Sequence, residues 1–334
     1  MCVRVVQMKG VDLRLFQFDW NLTFAVVFMN ADGTIYGRYG TRAGGRNNQM
    51  THVSSPSLQK AMQRALKLHR DYPANRGQFA GKRGPRPTYR FAQQMPDLKE
   101  HSTTTTTDTW KSCIQCHQVG ENLQRVRHRA GKLTASDIWV YPLPENIGLR
   151  IDKDDGLLVR SVVPNSPAAK AGFMEGDALK TMNGQPLLSQ ADIQWVLHNS
   201  PMKTEVSVGL ERGGKTITKS IVLGGNWKQT NLSWRDPTAG LLPGLYFSRL
   251  SNAEKQKRGV AENQMAFLVN YAQREYGKAG LRKRDVVIAV DGRTHAVTHG
   301  QFLEYVGLRQ PPADNVTLTL LRGDQRLKIV VPVK

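Results

Sequence analysis

Apolar residues along this chain fall into short runs broken by turn chemistry, and their period changes along the sequence. Residues 24–29 (FAVVFM) form a continuous apolar run fit for a buried strand. Asn30-Ala31-Asp32-Gly33 follows as a turn, with glycine supplying positive φ. Residues 34–39 (TIYGRY) return as a second strand, so a hairpin is predicted. Ser55-Pro56 opens a helix, with serine as N-cap and proline in the first turn. Leu58, Ala61, Met62, Ala65, Leu66 and Leu68 give that helix one apolar face. From Asp71 to about Thr109 the chain turns to Pro, Gly, Arg and then a threonine run. So little apolar surface cannot offset ordering entropy, and a flexible basic and Thr-rich linker is predicted. A short helix is expected over 119–129.

The second half repeats itself. Lys170-Ala171-Gly172, Asp177 and Asn183-Gly184 recur 108 residues later as Lys278-Ala279-Gly280, Asp285 and Asp291-Gly292. The offset grows to 110 between Glu211-Arg212-Gly213-Gly214 and Leu321-Arg322-Gly323-Asp324. Each copy predicts short strands, a helix (189–198 with Ser189 as N-cap, and 298–307) and a closing hairpin. Those hairpins pair 205–211 with 216–223, and 315–321 with 326–333. The repeat is a domain duplication, too long for a solenoid unit.

The residues of the first copy now carry a family likeness. "NIGLRID" (146–152) and "GLLVRSVVPNSPAAKAGFMEGDALKTMNGQPL" (156–187) resemble a bacterial-type PDZ domain. Such domains add an extended peptide to a sheet edge. The resemblance implies that backbone N–H groups of Ile147, Gly148 and Leu149 hold a peptide carboxylate. Ile151 and the start of helix 189–198 would line the side-chain pocket. In the second copy Pro243-Gly244-Leu245-Tyr246 would supply the loop, so Gly244 and Leu245 are its candidates. Arg284 stands where the first copy has Gly176. Bacterial PDZ pairs often follow a serine protease domain whose reactive serine lies in Gly-Asn-Ser-Gly-Gly. No Gly-x-Ser-Gly occurs here, and the region before the repeats is too short for a double β-barrel, so serine protease activity is not expected.

Charge changes the picture little. The 334 residues hold 47 Lys and Arg against 27 Asp and Glu, a formal charge of +20. Such a field attracts polyanions, but the charge is diffuse and its densest run, 76–90, lies in the expected linker. No helix-turn-helix, zinc-finger or RNA-recognition signature is present, so specific nucleic-acid binding is not expected. No 18-residue apolar run exists to span a membrane. "MCVRVVQMKG" at 1–10 lacks the charged-then-apolar pattern of a signal peptide.

"SCIQCHQVG" (112–120) holds two of three cysteines. In a c-type cytochrome two thiols spaced by two residues bind the haem vinyls, and the next histidine binds iron. Cys113 and Cys116 would tether the haem, and His117 would ligate the iron. Trp110 and Val119 could pack on the porphyrin. His128 and His101 are candidate distal ligands, with Met95 distant in sequence. Three alternatives stay open: zinc completed by His101, His128 or Asp108, a redox dithiol, or an idle pair. Haem c is attached outside the cytoplasm, so export is expected.

"LTFAVVFMNADGTIYGRYGTR" (22–42) with helix 55–71 resembles the C-terminal half of a thioredoxin fold. Leu22-Thr23 stands where that family has Pro-Thr. The likeness implies that Cys2 is the resolving thiol of a Cys-x-x-Cys whose partner, a selenocysteine in one version, precedes a mis-assigned start. The whole is similar to planctomycete-type proteins joining thioredoxin-like and PDZ modules. The expected class is therefore an α+β multidomain chain: an incomplete thioredoxin-like α/β fragment (1–70), the linker (71–109), a haem-c-like segment (110–138), a PDZ domain (139–225) and a PDZ-like domain (226–334). The expected function is an exported redox and scaffold protein coupling a haem-c or thiol centre to PDZ-mediated binding. Its partners would be peptide or protein C-termini and a redox partner. The alternative is a non-enzymatic PDZ binding module with a zinc-binding or vestigial Cys-x-x-Cys-His. The expected location is the periplasm or cell envelope, or the cytoplasm if Met1 is the true start.

Overall fold

The computed structural model describes residues 1–42, 51–99, 113–232, 240–295, 298–312 and 314–334. Its longer helices are α1 (Ser55–Arg70), α2 (Cys116–Arg129), α3 (Gln190–Asn199) and α4 (His299–Gly307). Two compact units are present: Met1–His117 with Trp139–Thr230, and Gln118–Ile138 with Asn231–Lys334.

In the first unit β1 (Val26–Met29) and β2 (Ile35–Tyr39) form an antiparallel hairpin, Val26 opposite Tyr39. Gly33 closes its turn at φ +81°. The Ser54 side chain caps α1 by accepting from the Ser57 N–H, in a capping box. Helix α1 buries Ser57, Ala61 and Ala65 in a cluster with Tyr36, Tyr39, Val53, Phe79 and Leu188. The apolar stripe is narrower than the sequence predicts. Met62 and Leu66 sit one position round the helix and are 49% and 59% exposed. Hairpin and helix form as read, but the sheet holds two strands, and a thioredoxin fold is not shown.

Residues 1–70 do not stand as a separate body, and the expected flexible linker is packed from Asp71 to Lys99. A 3-10 turn at Arg76–Lys82 buries Phe79 and Lys82, and further on Ala92, Met95 and Leu98 are buried. Polar ties assist: Gln17 Nε2 donates to the Pro85 carbonyl at 2.7 Å, and the Gly84 N–H donates to Gln17 Oε1 at 2.8 Å. A few well-placed anchors, distant in sequence, replace the apolar density that the composition lacks.

The rest of the first unit is β-rich. β3 (Leu149–Ile151) pairs with β4 (Val159–Val162). β5 (Ala178–Met182), β6 (Gln185–Pro186), β7 (Thr204–Arg212) and β8 (Lys215–Leu223) form a sheet of order β6-β5-β7-β8. Ser166 caps the turn Pro167–Lys170, and Gly172 follows it at φ +75°. The core joins Leu149, Ile151, Leu179, Ile193, Val196 and Val208.

The second unit holds one sheet, β13-β12-β11-β10-β9, from β9 (Leu245–Arg249), β10 (Phe267–Ala272), β11 (Val286–Val290), β12 (Asn315–Arg322) and β13 (Gln325–Pro332). Its segment 118–138 packs here, with the His128 Nδ1 3.2 Å from the Gly307 carbonyl. The two units repeat the same bonds at equivalent residues. Arg212 grips Asp177 through Nε (2.6 Å) and Nη2 (2.8 Å), and Nη2 also donates to the Gly172 carbonyl. Arg322 grips Asp285 (2.8 and 2.7 Å) and the Gly280 carbonyl in the same way. Asn183 and Ser207 exchange bonds as Asp291 and Thr317 do. Equivalent residues of the repeat thus make equivalent bonds in both units.

Candidate peptide-binding site

The first groove begins at a 3-10 turn, Pro144–Ile147, that Gly148 terminates at φ +93°. A Cβ at Gly148 would collide with the Ser166 Oγ, so glycine is required on both counts. The Val163 N–H donates to the Gly148 carbonyl at 2.9 Å and aligns β4 with β3. Along β3, Leu149 and Ile151 are buried and Arg150 is exposed. Among the described residues no strand pairs with the other edge of β3. Helix α3 is the opposite wall, capped by Ser189, which accepts from the Ala191 N–H.

That wall is more occupied than the sequence suggests. Every residue from Gln190 to Leu197 is buried, including Gln190, Asp192 and Gln194. Asp192 accepts from Lys82 Nζ (2.8 Å), the Leu188 N–H (2.9 Å) and the Arg38 N–H (3.3 Å). The Arg38 guanidinium lies 3.6 Å over the Trp195 ring, and Trp195 Nε1 donates to the Gly81 carbonyl. Burial lowers Arg38 to about 10 and pushes Lys82 down as well, with Asp192 opposing both. Sequence reasoning missed Arg38, Lys82 and Asp192, because each reads as an ordinary surface charge. Closer to the loop, His52 Nδ1 lies 3.3 Å from Gln190 Nε2 and 3.6 Å from Glu145 Oε1. Burial pushes the Glu145 carboxyl up from its ordinary value, against the pull of His52.

The second unit sets out the same parts. Gly244, at φ +81°, precedes buried Leu245, and the Gln273 N–H donates to the Gly244 carbonyl at 2.9 Å. β9 is an edge strand. His299 opens α4 and places Nε2 3.4 Å from the Phe247 carbonyl, and burial pushes its pKa down.

The cysteine motif is placed differently from expectation. Cys113 is half-buried ahead of α2, while Cys116 and His117 are exposed in its first turn. Ile114 between them is buried, and its carbonyl accepts from the Met8 N–H. A helix N-terminus normally activates a thiol. Here the protein packed around Cys116 desolvates it and pushes its thiol up. His128 shares α2 with His117 eleven residues on, about 16 Å along the axis, so the two cannot ligate one iron. Met95 is buried, and Cys2 is exposed and unbridged. No group of three His, Cys, Asp or Glu able to hold a metal exists among the described residues. His101, Asp108, Trp110 and the threonine run lie outside the described residues.

Parts of the chain are similar to known proteins. The PDZ domain family model matches residues 146–223. The periplasmic serine endoprotease DegP of Salmonella typhimurium is 32% identical over 143 residues, 43% of this chain and 28% of that protein. DegP of Escherichia coli is 28% identical over 183 residues, 55% of this chain and 35% of that protein. The periplasmic pH-dependent serine endoprotease DegQ of Escherichia coli is 27% identical, over 54% of this chain and 37% of that one. Among solved structures, the HtrA3 PDZ domain bound to a phage-derived ligand (FGRWV) covers 23% of this chain and 81% of its own, at 26% identity and a TM-score of 0.20. The chain thus spans about a third of the length of the curated relatives it matches.

These findings correct two expectations. The haem or thiol redox scaffold, with its non-enzymatic alternative, gives way, because the relatives are serine endoproteases and point to a protease-type function. The exclusion of serine protease function falls with it. It rested on a motif missing from these 334 residues and on the short region before the repeats, and neither sets the class of a function. No helix among the described residues is long and apolar enough to cross a membrane. Residues 146–223 are a PDZ domain of the bacterial kind, in a chain similar over about half its length to periplasmic serine endoproteases.

Proposed function

We propose that this chain serves a protease-type function by capturing extended peptide ends in the groove between β3 and α3. One observation carries the reading: the Ile147-Gly148-Leu149 loop leads directly into a strand whose outer edge has no ladder partner among the described residues. A peptide adds there as a further strand, its main chain pairing with Leu149 and Ile151. Its carboxylate meets the N–H groups of residues 147–149. Its last side chains reach Ile151 and the start of α3. Gly244 and Leu245 play the same part in the second unit. The partners are then C-terminal segments of peptides or proteins, and the place of work is the periplasm, as for the relatives.

The pentapeptide FGRWV, named as the ligand of the HtrA3 domain, is the first probe. Fluorescence anisotropy is expected to show binding that weakens at least about tenfold when the carboxylate becomes an amide, one charge-assisted contact's worth. Equal binding of acid and amide would remove the reading. Release of acid-soluble fragments from unfolded casein, suppressed by excess FGRWV, is the expected protease-type outcome. No release would remove that part.

A further inference from the structure

We propose that residues 51–54 form a strap across the first groove, with His52 as its latch, so that peptide capture begins with the release of His52. The proposal rests on the reading that this groove takes peptides. His52 Nδ1 stands between the two walls, 3.3 Å from Gln190 Nε2 on α3 and 3.6 Å from Glu145 Oε1 on the loop before β3. Two residues on, the Ser54 Oγ donates to the Lys153 carbonyl at 3.1 Å, fastening the strap to the turn after β3. Beyond it α1 holds the same turn: Lys60 and Arg64 reach Asp155 at 2.8 and 2.7 Å, and Arg64 also donates to the Leu188 carbonyl just before α3. Val53 anchors the strap in the α1 cluster, and the His52 ring meets a side chain of each wall.

The closed arrangement leaves groove-side acceptors short of donors. Among the described residues, Glu145 Oε2 and Gln190 Oε1 are buried without a hydrogen-bond partner, as is Thr41 Oγ1 nearby. Buried acceptors without donors destabilise the state that holds them. An added peptide strand brings main-chain N–H groups into this space, so exchange of His52 for peptide replaces unmet acceptors with met ones. A free carboxylate near Glu145 would also be repelled unless the Glu145 carboxyl is neutral or turned away, which release of the latch permits.

The test uses the full chain and FGRWV as probe. His52→Ala is expected to tighten FGRWV binding by about threefold or more. It should also speed hydrogen exchange at the Leu149 and Ile151 amides without any peptide. A second variant pins the latch: His52→Cys with Gln190→Cys, on a background with Cys2, Cys113 and Cys116 replaced by serine. Oxidised, it is expected to lose FGRWV binding at least tenfold and to recover it on reduction. Unchanged exchange and unchanged binding in folded His52→Ala would overturn the strap, as would full binding by the oxidised pair. If no form binds FGRWV, the peptide-capture reading fails. The exchange rates at Leu149 and Ile151 still decide the strap: faster supports it, unchanged sinks it.

Discussion

The ammonium of Lys228 is buried, donates to the His198 carbonyl at 2.8 Å and lies 5.4 Å from the Trp227 ring. Burial pushes its pKa down to about 8 from an ordinary 10.5. Below pH 8 the amine is charged in both folded and unfolded chains, and its burial cost is felt in full. Between about pH 8 and 10.5 the unfolded chain keeps the proton that the folded one has lost. The unfolded state binds more protons there, so this group's contribution to stability rises with pH. Urea unfolding of wild type against Lys228→Met should therefore show the variant more stable at pH 7 by roughly 2 kcal/mol, with the gap closing toward pH 10. A gap constant with pH would contradict the assignment. Nothing in the sequence around Lys228 announces this burial, because the partner carbonyl lies thirty residues back. Gly148 is the opposite case: its place in an Ile-Gly-Leu loop before a strand was legible from the motif, although its angle and its closeness to Ser166 were not.

At the scale of elements, local chemistry was readable and long-range packing was not. The hairpin turn at Asn30–Gly33 and the Ser189 cap are set by residues within four positions, and each formed as the pattern predicts, whereas the cap of α1 falls on Ser54, one residue before the serine that the sequence pattern predicts. The segment 71–99 misled because its order comes from Phe79 in the α1 cluster, from Gln17 on Gly84, 67 residues apart, and from Lys82 on Asp192, 110 apart. Helix α1 misled in a smaller way: alanines, not the larger Met62 and Leu66, face its core. Met62→Lys and Leu66→Glu should each shift stability by less than about 0.5 kcal/mol. Ala61→Leu should cost about 1–3 kcal/mol through overpacking. Thermal unfolding of the three variants checks the order. A large loss at Leu66 with none at Ala61 would place the stripe where the sequence alone put it.

Over the whole molecule, the repeat offsets of 108 and 110 mark residues that make the same bonds in both units. Asp177 and Asp285 are buried, and each is held by one arginine and one backbone N–H. Arg212→Ala and Arg322→Ala should thus each destabilise the chain, by leaving a buried carboxylate short of its charge partner. Hydrogen exchange in β5 for the first and in β11 for the second should rise by comparable factors. A much smaller effect at Arg322 would set the second unit apart. The groove was legible for a related reason: loop, edge and helix lie within 55 residues and carry a spaced motif. The contacts that Arg38, Lys82 and His52 make with its helix were not, since those residues precede their partners by 110 to 154 positions. The Cys-x-x-Cys-His spacing drew attention to Cys113–His117, yet burial and helix geometry, which spacing does not encode, decide what those side chains can reach.

The central claim is that peptide ends enter between β3 and α3. Amide chemical-shift mapping of the full chain during titration with FGRWV tests it most directly. The account predicts that the first and largest shifts fall on residues 147–151 and 190–194, and that the C-terminal amide of the same peptide leaves residues 147–149 unmoved. Shifts confined to other surfaces, or identical shifts for acid and amide, would contradict it.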